Sequence, residues 1–513
     1  MTQSSEYKPF PVGYDDPESF FRLSSQTARD LDVSGFAGHL VPPARMDSSL
    51  TNFLSRPFVT QEEIVELSQT QEMLRDDMNV SRILDRCLMF LNFLTRDLGE
   101  LISPLVQGNL FQKGNKDVEN MNSLQAVGAA MNFVEQVHVT QQALASFIQS
   151  RILAEGLPLP PMLQTLFANL SIFLERVKQI ADQIRIRPGT KFLGIRLSLT
   201  AFEYQGSGEA QMDLGSVANL CKLNTDLRSL NIEQQAFSYW LRVFCAMAKF
   251  QGKCKDWLSE VGLQEAGDVE EGGETRGEGR FAVDGLYHPV MAYEGRNDRG
   301  EPPVPQERLV FEPHHKVIVF AGVNGGGKTN VARGAIPLAH ILRQVGLPIL
   351  GREGAEMPIV SGILTHQSRD TGFQDKIKLD GEDGDIGKWG EELQELRRLC
   401  DQVKPGMLVA IDEMLLATGQ EGVEVYSREI IDEFVAKGAR VLLVTHNAAL
   451  IHSLAAQDNC LVFEAGVEDG GKKPTYKFSQ RTVDTLTRQE DYAARREEIF
   501  DKTWRRRSEA QSV

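Results

Sequence analysis

A chain of 513 residues is too long for one ordinary core, so two or three domains are expected. With 42% hydrophobic and 25% charged residues and no apolar run long enough to span a bilayer, it reads as a globular intracellular protein. A formal charge of −16 excludes a surface that coats nucleic acid by overall charge, so DNA contact would need a local basic face or a groove between subunits.

The N-terminus, Met1 to Lys8, is polar and lacks a basic-then-apolar leader pattern. Residues 1–60 are rich in Pro, Gly, Asp and Ser and read as an extended arm with short helices, one of them near Pro17–Arg22. From 61 to 262 the pattern is helical. The runs 81–104, 117–154, 162–186 and 226–260 place apolar residues three and four apart. The match is poorer over Glu62–Leu74, where positions 68–72 are all polar. The length of 117–154 suggests an extended bundle or lever. Within this region Lys191–Tyr204 alternates between Pro188-Gly189 and Gly206–Gly208, which predicts a strand or short hairpin. Residues 263–280 are acidic and Gly-rich, a composition that buries no core and predicts a linker.

From 281 to 484 short apolar strands alternate with helices, the texture of an α/β domain. Residues 485–513 read as a charged helix and tail. There Trp504 with Arg505, Arg506 and Arg507 fits a solvated amphipathic end, a docking element or a nucleic-acid contact. The six cysteines (Cys87, Cys221, Cys245, Cys254, Cys400, Cys460) form no CxxC pair and read as buried free thiols.

The α/β region carries the chemistry. The β-branched run Lys316–Ala321 feeds directly into Gly322-Val-Asn-Gly-Gly-Gly-Lys-Thr329, and Asn330–Leu342 then reads mainly as a helix. This is G-x-x-x-x-G-K-[ST] in its strand–loop–helix context. Glycines let successive backbone N–H groups curl around phosphates without β-carbon clashes, and the positive end of the helix faces the same anion. ATP contacts are therefore expected over Gly322, Asn324, Gly325, Gly326, Gly327, Lys328, Thr329 and Asn330. Lys328 would meet the β- and γ-phosphates, and Thr329 would offer its hydroxyl to Mg²⁺. Further on, the apolar run Met407–Ile411 stops at Asp412-Glu413. This places Asp412 near Mg²⁺ and Glu413 where it aligns or deprotonates the attacking water. A third apolar run, Arg440–Val444, ends in Thr445-His446. His446 there reads as a γ-phosphate sensor or, taken alone, as a helix cap or solvent-facing side chain.

These elements in this order resemble the ATPase domain of the MutS family, a relative of the ABC ATPases. The loop is similar to the family's GPNMGGKS, with Asn324 kept and Val323 in place of Pro. Gly285-Leu-Tyr-His-Pro-Val290 resembles GRHPV, Leu347-Pro-Ile349 resembles VPA, and Asp412-Glu413 and Thr445-His446 match the DE and TH positions. The likeness covers about 285–480; the helical region before it is compatible with core and lever helices by composition and position alone. The resemblance implies a homodimeric, Mg²⁺-dependent ATPase that engages DNA or DNA structures in repair or recombination, with Glu413, Lys328 and His446 as catalytic groups.

Two departures stand out. The family's STFxxE segment reaches the partner's γ-phosphate; here its equivalent is Gly387-Lys-Trp-Gly-Glu-Glu392, with Gly387 lacking the hydroxyl, Trp389 in the Phe position and Lys388 a possible substitute contact. After Asp412-Glu413, the Gly-rich stretch reads Met414–Gly422, keeping Thr418 and Gly422 but carrying Leu415 and Ala417 where glycines are expected. The N-terminus shows no Phe-x-Glu mismatch-reading motif, and neither the family's N-terminal domains nor an added nuclease-like domain is expected. The expectation is a reduced, MutS-like core plus ATPase. The alternative is an ATP-gated scaffold that recruits a protein partner with little DNA contact; the absence of an LSGGQ-like signature argues against other ABC or SMC branches.

Overall fold

A computed structural model of the chain describes residues 20–40, 48–94, 116–150, 159–182, 243–247, 270–271, 279–294, 304–322, 325–352, 355–367, 388–415, 420–468 and 473–486. The strand expected over 191–204, the C-terminal helix, Cys221, Cys254, Asn324, Gly387 and Thr418 lie outside them. The chain divides into two compact units: Met1–Asp15 with Glu66–Phe250, and Asp16–Val65 with Gln251–Val513.

The first unit is helical. Helix α4 (Gln61–Asp76) carries the chain into it, followed by α5 (Met78–Asn92), α6 (Lys116–Ile148) and α7 (Pro161–Ala181). Asp77 caps α5 by accepting from the Asn79 N–H at 2.9 Å, which satisfies one of the free donors at a helix start. Pro161 opens α7, where its missing N–H leaves no intrahelical bond unmade. Leu163, Leu166, Leu170, Phe173 and Val177 recur at helical spacing along α7 and are buried. Helix α6 lies against both α5 and α7, with Phe133, Val137 and Leu144 buried and Phe147 set against Phe167 at 5.4 Å between ring centroids. Cys87 is buried here, and that burial pushes its thiol up to about 12, so it behaves as a small apolar side chain.

The second unit begins with residues expected as an arm. Helices α1 (Ser25–Asp30), α2 (Val33–Leu40) and α3 (Ser48–Leu54) precede a segment that docks on the sheet region. Phe36, Phe53 and Phe58 are fully buried. The Phe58 N–H donates to Gln344 O at 3.0 Å, Gln344 Nε2 donates to Phe58 O at 2.6 Å, and Thr365 Oγ1 donates to Asp30 Oδ2 at 2.8 Å. A polar composition concealed this docking, because a few well-spaced aromatics carry it.

The main sheet has six strands: β4 (Val317–Ala321), β6 (Gly362–Gln367), β7 (Met407–Asp412), β8 (Arg440–Val444), β9 (Cys460–Glu468) and β10 (Lys473–Arg481). Their order is β10-β9-β4-β8-β7-β6, all parallel except the β9–β10 hairpin. Strands β4 and β8 are buried throughout, as parallel strands covered on both faces must be. A smaller sheet joins β1 (Glu270–Glu271), β2 (Phe281–Val283), β3 (Leu309–Phe311) and β5 (Glu356–Met357). Within the stretch read as a linker, therefore, Glu270-Glu271 pairs in parallel with Glu356-Met357. Arg440 opens β8, buried, and donates to His315 O at 3.1 Å and Gly279 O at 3.0 Å; burial pushes its pKa down to about 10.

Helix α8 (Pro289–Glu294) precedes β3, α9 (Ile336–Gln344) follows the glycine loop, α10 (Lys388–Gln402) precedes β7, and α11 (Gln420–Ala436) and α12 (Ala448–Ala455) bracket β8. Between loop and α9, Asn330–Ala335 is a π-helical turn. Pro337 explains it: the missing N–H and the ring's clash with the preceding turn favour a wider winding there. Among the described residues no helix is long and apolar enough to cross a membrane.

Candidate functional site

Strands β4, β8 and β7 are parallel neighbours, so their C-terminal ends lie side by side. Phe320 pairs with Val444, and Val444 with Asp412. The end of the strands is where open α/β sheets hold ligands. A cleft of about 450 Å³ opens there, with Lys328, Thr329, Asp412, Glu413 and His446 on its wall.

The loop after β4 takes a shape that only glycine adopts without strain. Gly322, Gly325 and Gly327 have φ of 119°, 74° and 84°. A β-carbon on Gly322 would come within 2.9 Å of Ala465 Cβ, and one on Gly327 within 3.3 Å of the Tyr476 ring. Gly326 is buried between them. Lys328 is 5% exposed, and its Nζ donates to Gly322 O at 3.1 Å. Burial pushes its pKa down to about 8, against the upward pull of Glu413 and Asp412.

Thr329 Oγ1 donates to Asp412 Oδ1 at 3.1 Å, joining loop and strand end. Asp412 Oδ2 lies 3.8 Å from Arg333 Nη1. Arg333 was not singled out from the sequence, although its place one turn beyond Thr329 was the available signal. Asn330 turns toward α8 instead, its Nδ2 donating to Met291 Sδ at 3.8 Å. His288, from the Gly285–Val290 segment, fills the space beside Gly334, where a β-carbon would overlap its ring.

Glu413 follows β7 with φ of 64°, a left-handed backbone that costs a residue with a β-carbon about 1–3 kcal/mol. Its N–H donates to Val444 O at 2.9 Å, which fixes that turn. Its Oε1 lies 3.4 Å from His446 Nε2. The cap of α12 is Asn447, whose Oδ1 accepts from Leu450 N–H at 3.0 Å, so His446 is not needed there and faces the cleft.

Glu392, in the segment matched to STFxxE, makes a contact within this chain: its Oε1 accepts from Leu415 N–H at 2.7 Å, and Leu415 also has a left-handed φ of 55°. His366, at the end of β6, stands 3.7 Å from both Glu392 Oε1 and Glu395 Oε1. Burial alone would lower its pKa, but the two glutamates push it up to about 9. Lys388 begins α10; its side chain and that of Trp389 lie outside the described residues.

The other wall was missed by sequence reasoning. Tyr476 sits at an irregularity in the β9–β10 pairing with φ of 59°, and its carbonyl accepts from Gln306 Nε2 at 2.8 Å. Leu286, Val304 and Gln306 continue this wall.

Part of the chain is similar to MutS-related proteins. It is 28% identical over 170 residues, 32% of this chain, to an endonuclease MutS2 of Anaeromyxobacter sp. (strain Fw109-5), and the match covers 19% of that protein. It is 28% identical over 205 residues, 39% of this chain, to an endonuclease MutS2 of Streptococcus suis (strain 05ZYH33), of which 23% is covered. An endonuclease MutS2 of Brevibacillus brevis is 27% identical over 197 residues, 36% of this chain and 24% of that protein. The chain thus matches only about a fifth to a quarter of these relatives' length. No protein-family model matches it.

Proposed function

We propose that the chain is a P-loop ATPase of the MutS kind, which couples ATP binding and hydrolysis to the engagement of DNA. The observation that carries this is the Thr329–Asp412 hydrogen bond beneath the glycine loop, with Glu413 and His446 paired beside it. A hydroxyl and a carboxylate in contact are the hard-oxygen pair that a phosphate-bound Mg²⁺ takes, so Thr329 and Asp412 fit as its protein ligands. When bound, Mg²⁺ would neutralise charge developing on the phosphates. Lys328 leaves its carbonyl contact and binds the β- and γ-phosphates, while the loop N–H groups hold the remaining oxygens. Arg333 keeps Asp412 oriented. Glu413 positions the attacking water and takes its proton, and His446 orients the Glu413 carboxylate. Tyr476 offers an aromatic face beside the loop for the base.

The test is ATP turnover with and without duplex, branched and single-stranded DNA, alongside Lys328→Ala. Nucleotide-dependent turnover that disappears in Lys328→Ala supports the site; normal affinity and turnover in that variant refutes it. A second reading, an ATP-gated scaffold for a protein partner, draws on the −16 charge. Salt-titrated DNA binding separates the two, because phosphate contacts weaken steeply with salt. Absence of DNA binding at low salt favours the scaffold. In either case a homodimer would supply the second half of the composite site, and sedimentation with ATP bound measures that.

A further inference from the structure

This inference rests on the nucleotide reading above, in which Glu413 takes a proton from the attacking water. Glu413 stands in a turn after β7 that is strained twice, with φ of 64° at Glu413 and 55° at Leu415. Neither residue is glycine, so such a backbone persists only where its surroundings hold it. A return of Glu413 to negative φ would swing its side chain about the N–Cα bond, and its Oε1 would leave His446 Nε2, which lies 3.4 Å away. What holds the turn therefore decides where the carboxylate points.

The turn is held at both ends. At its start the Glu413 N–H donates to Val444 O at 2.9 Å, a bond to the neighbouring strand β8. At its end the Leu415 N–H donates to Glu392 Oε1 at 2.7 Å, and a carboxylate acceptor makes this one of the stronger kinds of hydrogen bond. Leu415 is 0% exposed, so solvent does not stand in for that acceptor. Glu392 is fixed in turn. It belongs to α10, and its Oε1 lies 3.7 Å from Nε2 of His366, a buried residue that pairs with Ile411 where β6 runs beside β7. Its side chain thus ties together α10, the end of β6 and the turn that carries Glu413. Among the described residues it is not on the cleft wall, so it reaches the reaction through the turn and not by touching the nucleotide.

We propose that Glu392 is a positioning residue for hydrolysis: by accepting from the Leu415 N–H it locks the turn that aims Glu413 into the cleft. The hydrogen bond, not the charge, is the working part. ATP binding does not depend on it, because the glycine loop and Lys328 hold the phosphates.

The experiment measures ATP affinity with Mg²⁺ and single-turnover hydrolysis in the full chain. The proteins are wild type, Glu392→Ala, Glu392→Asp and Glu392→Gln, each alone and combined with Glu413→Gln. Aspartate keeps the charge beside His366 but withdraws its oxygen by about 1.5 Å, the length of one carbon–carbon bond, which is beyond hydrogen-bond reach of Leu415 N–H. Glutamine keeps the acceptor and loses the charge. Glu392→Ala and Glu392→Asp should slow hydrolysis about 10²-fold, the usual loss for a misplaced reacting group. Glu392→Gln should stay within about fivefold of wild type, and ATP affinity within about threefold throughout. In the Glu413→Gln background Glu392→Asp should cost less than about threefold, because no base is left to aim. Hydrolysis by Glu392→Asp at the wild-type rate overturns the proposal. So does an equal loss in Glu392→Gln, which would make the charge the working part, or an undiminished loss in the Glu413→Gln background. If Glu392→Ala fails to fold, Glu392→Asp, which keeps the counter-charge of His366, decides alone. If wild type neither binds nor hydrolyses ATP, the nucleotide reading falls and takes the proposal with it.

Discussion

Nucleotide affinity should fall as the pH rises above about 8, with Lys328 as the cause. In the open cleft its ammonium is 5% exposed and holds its proton only to about pH 8. A triphosphate beside it favours the charged form and raises that value. Below pH 8 the lysine is protonated with or without nucleotide, so affinity is flat. Above it, binding takes up a proton, and affinity drops by up to tenfold per pH unit. A full return from about 8 to 10.5 would correspond to about 3.4 kcal/mol. Phosphate's own second ionisation, near pH 6, lies outside this window. Calorimetry from pH 7 to 9.5 in buffers of different ionisation enthalpy measures both the affinity and the proton taken up. Constant affinity across the range, or the same slope in Lys328→Met, would refute the reasoning.

Further outcomes follow from the same geometry. Glu413→Gln should keep ATP affinity within about threefold while single-turnover hydrolysis slows about 10²–10⁴-fold; unchanged hydrolysis removes Glu413 from its role. Glu392→Ala should lower the urea-unfolding free energy by about 1–3 kcal/mol, because the Leu415 N–H loses its acceptor and buried His366 loses a counter-charge. An unchanged midpoint would show that this cluster is passive. Since the pKa of His366 is raised from 6.5 to about 9, its stabilisation is complete below pH 6.5 and disappears as pH climbs through 9; urea midpoints that stay level to pH 9.5 would contradict that. Gly322→Ala should cost about 2 kcal/mol or more, from the left-handed backbone and the Ala465 contact, and a melting temperature equal to wild type would rule out strain at this position.

The legible parts of the site are those whose chemistry is encoded by neighbours in sequence. The glycine run is expected to curl without β-carbon clashes, and Gly322, Gly325 and Gly327 have positive φ; the apolar runs expected before Asp412-Glu413 and Thr445-His446 are β7 and β8. The alternation of apolar strands and helices likewise announced an α/β sheet. What stayed hidden arises between distant segments. Tyr476 reaches the loop through an irregular hairpin, and Gln306, 170 residues earlier in the chain, holds its carbonyl. Glu392 carries no sign in its sequence that it holds Leu415. The helical region is legible as helix but not as function, because amphipathic spacing reports burial alone.

The docking of residues 20–59 also has a consequence for biosynthesis. Phe58 exchanges backbone and side-chain hydrogen bonds with Gln344, 286 residues further along the chain. At about 5–20 residues per second, a ribosome needs about 15–60 s to deliver that partner. Thr365, which holds Asp30, arrives later still. Phe58 and Asp30 therefore wait for partners that are made only after the helical unit. Until Gln344 is made the segment around Phe58 lacks its seat, and transiently exposed apolar surface of this kind is what aggregates during folding.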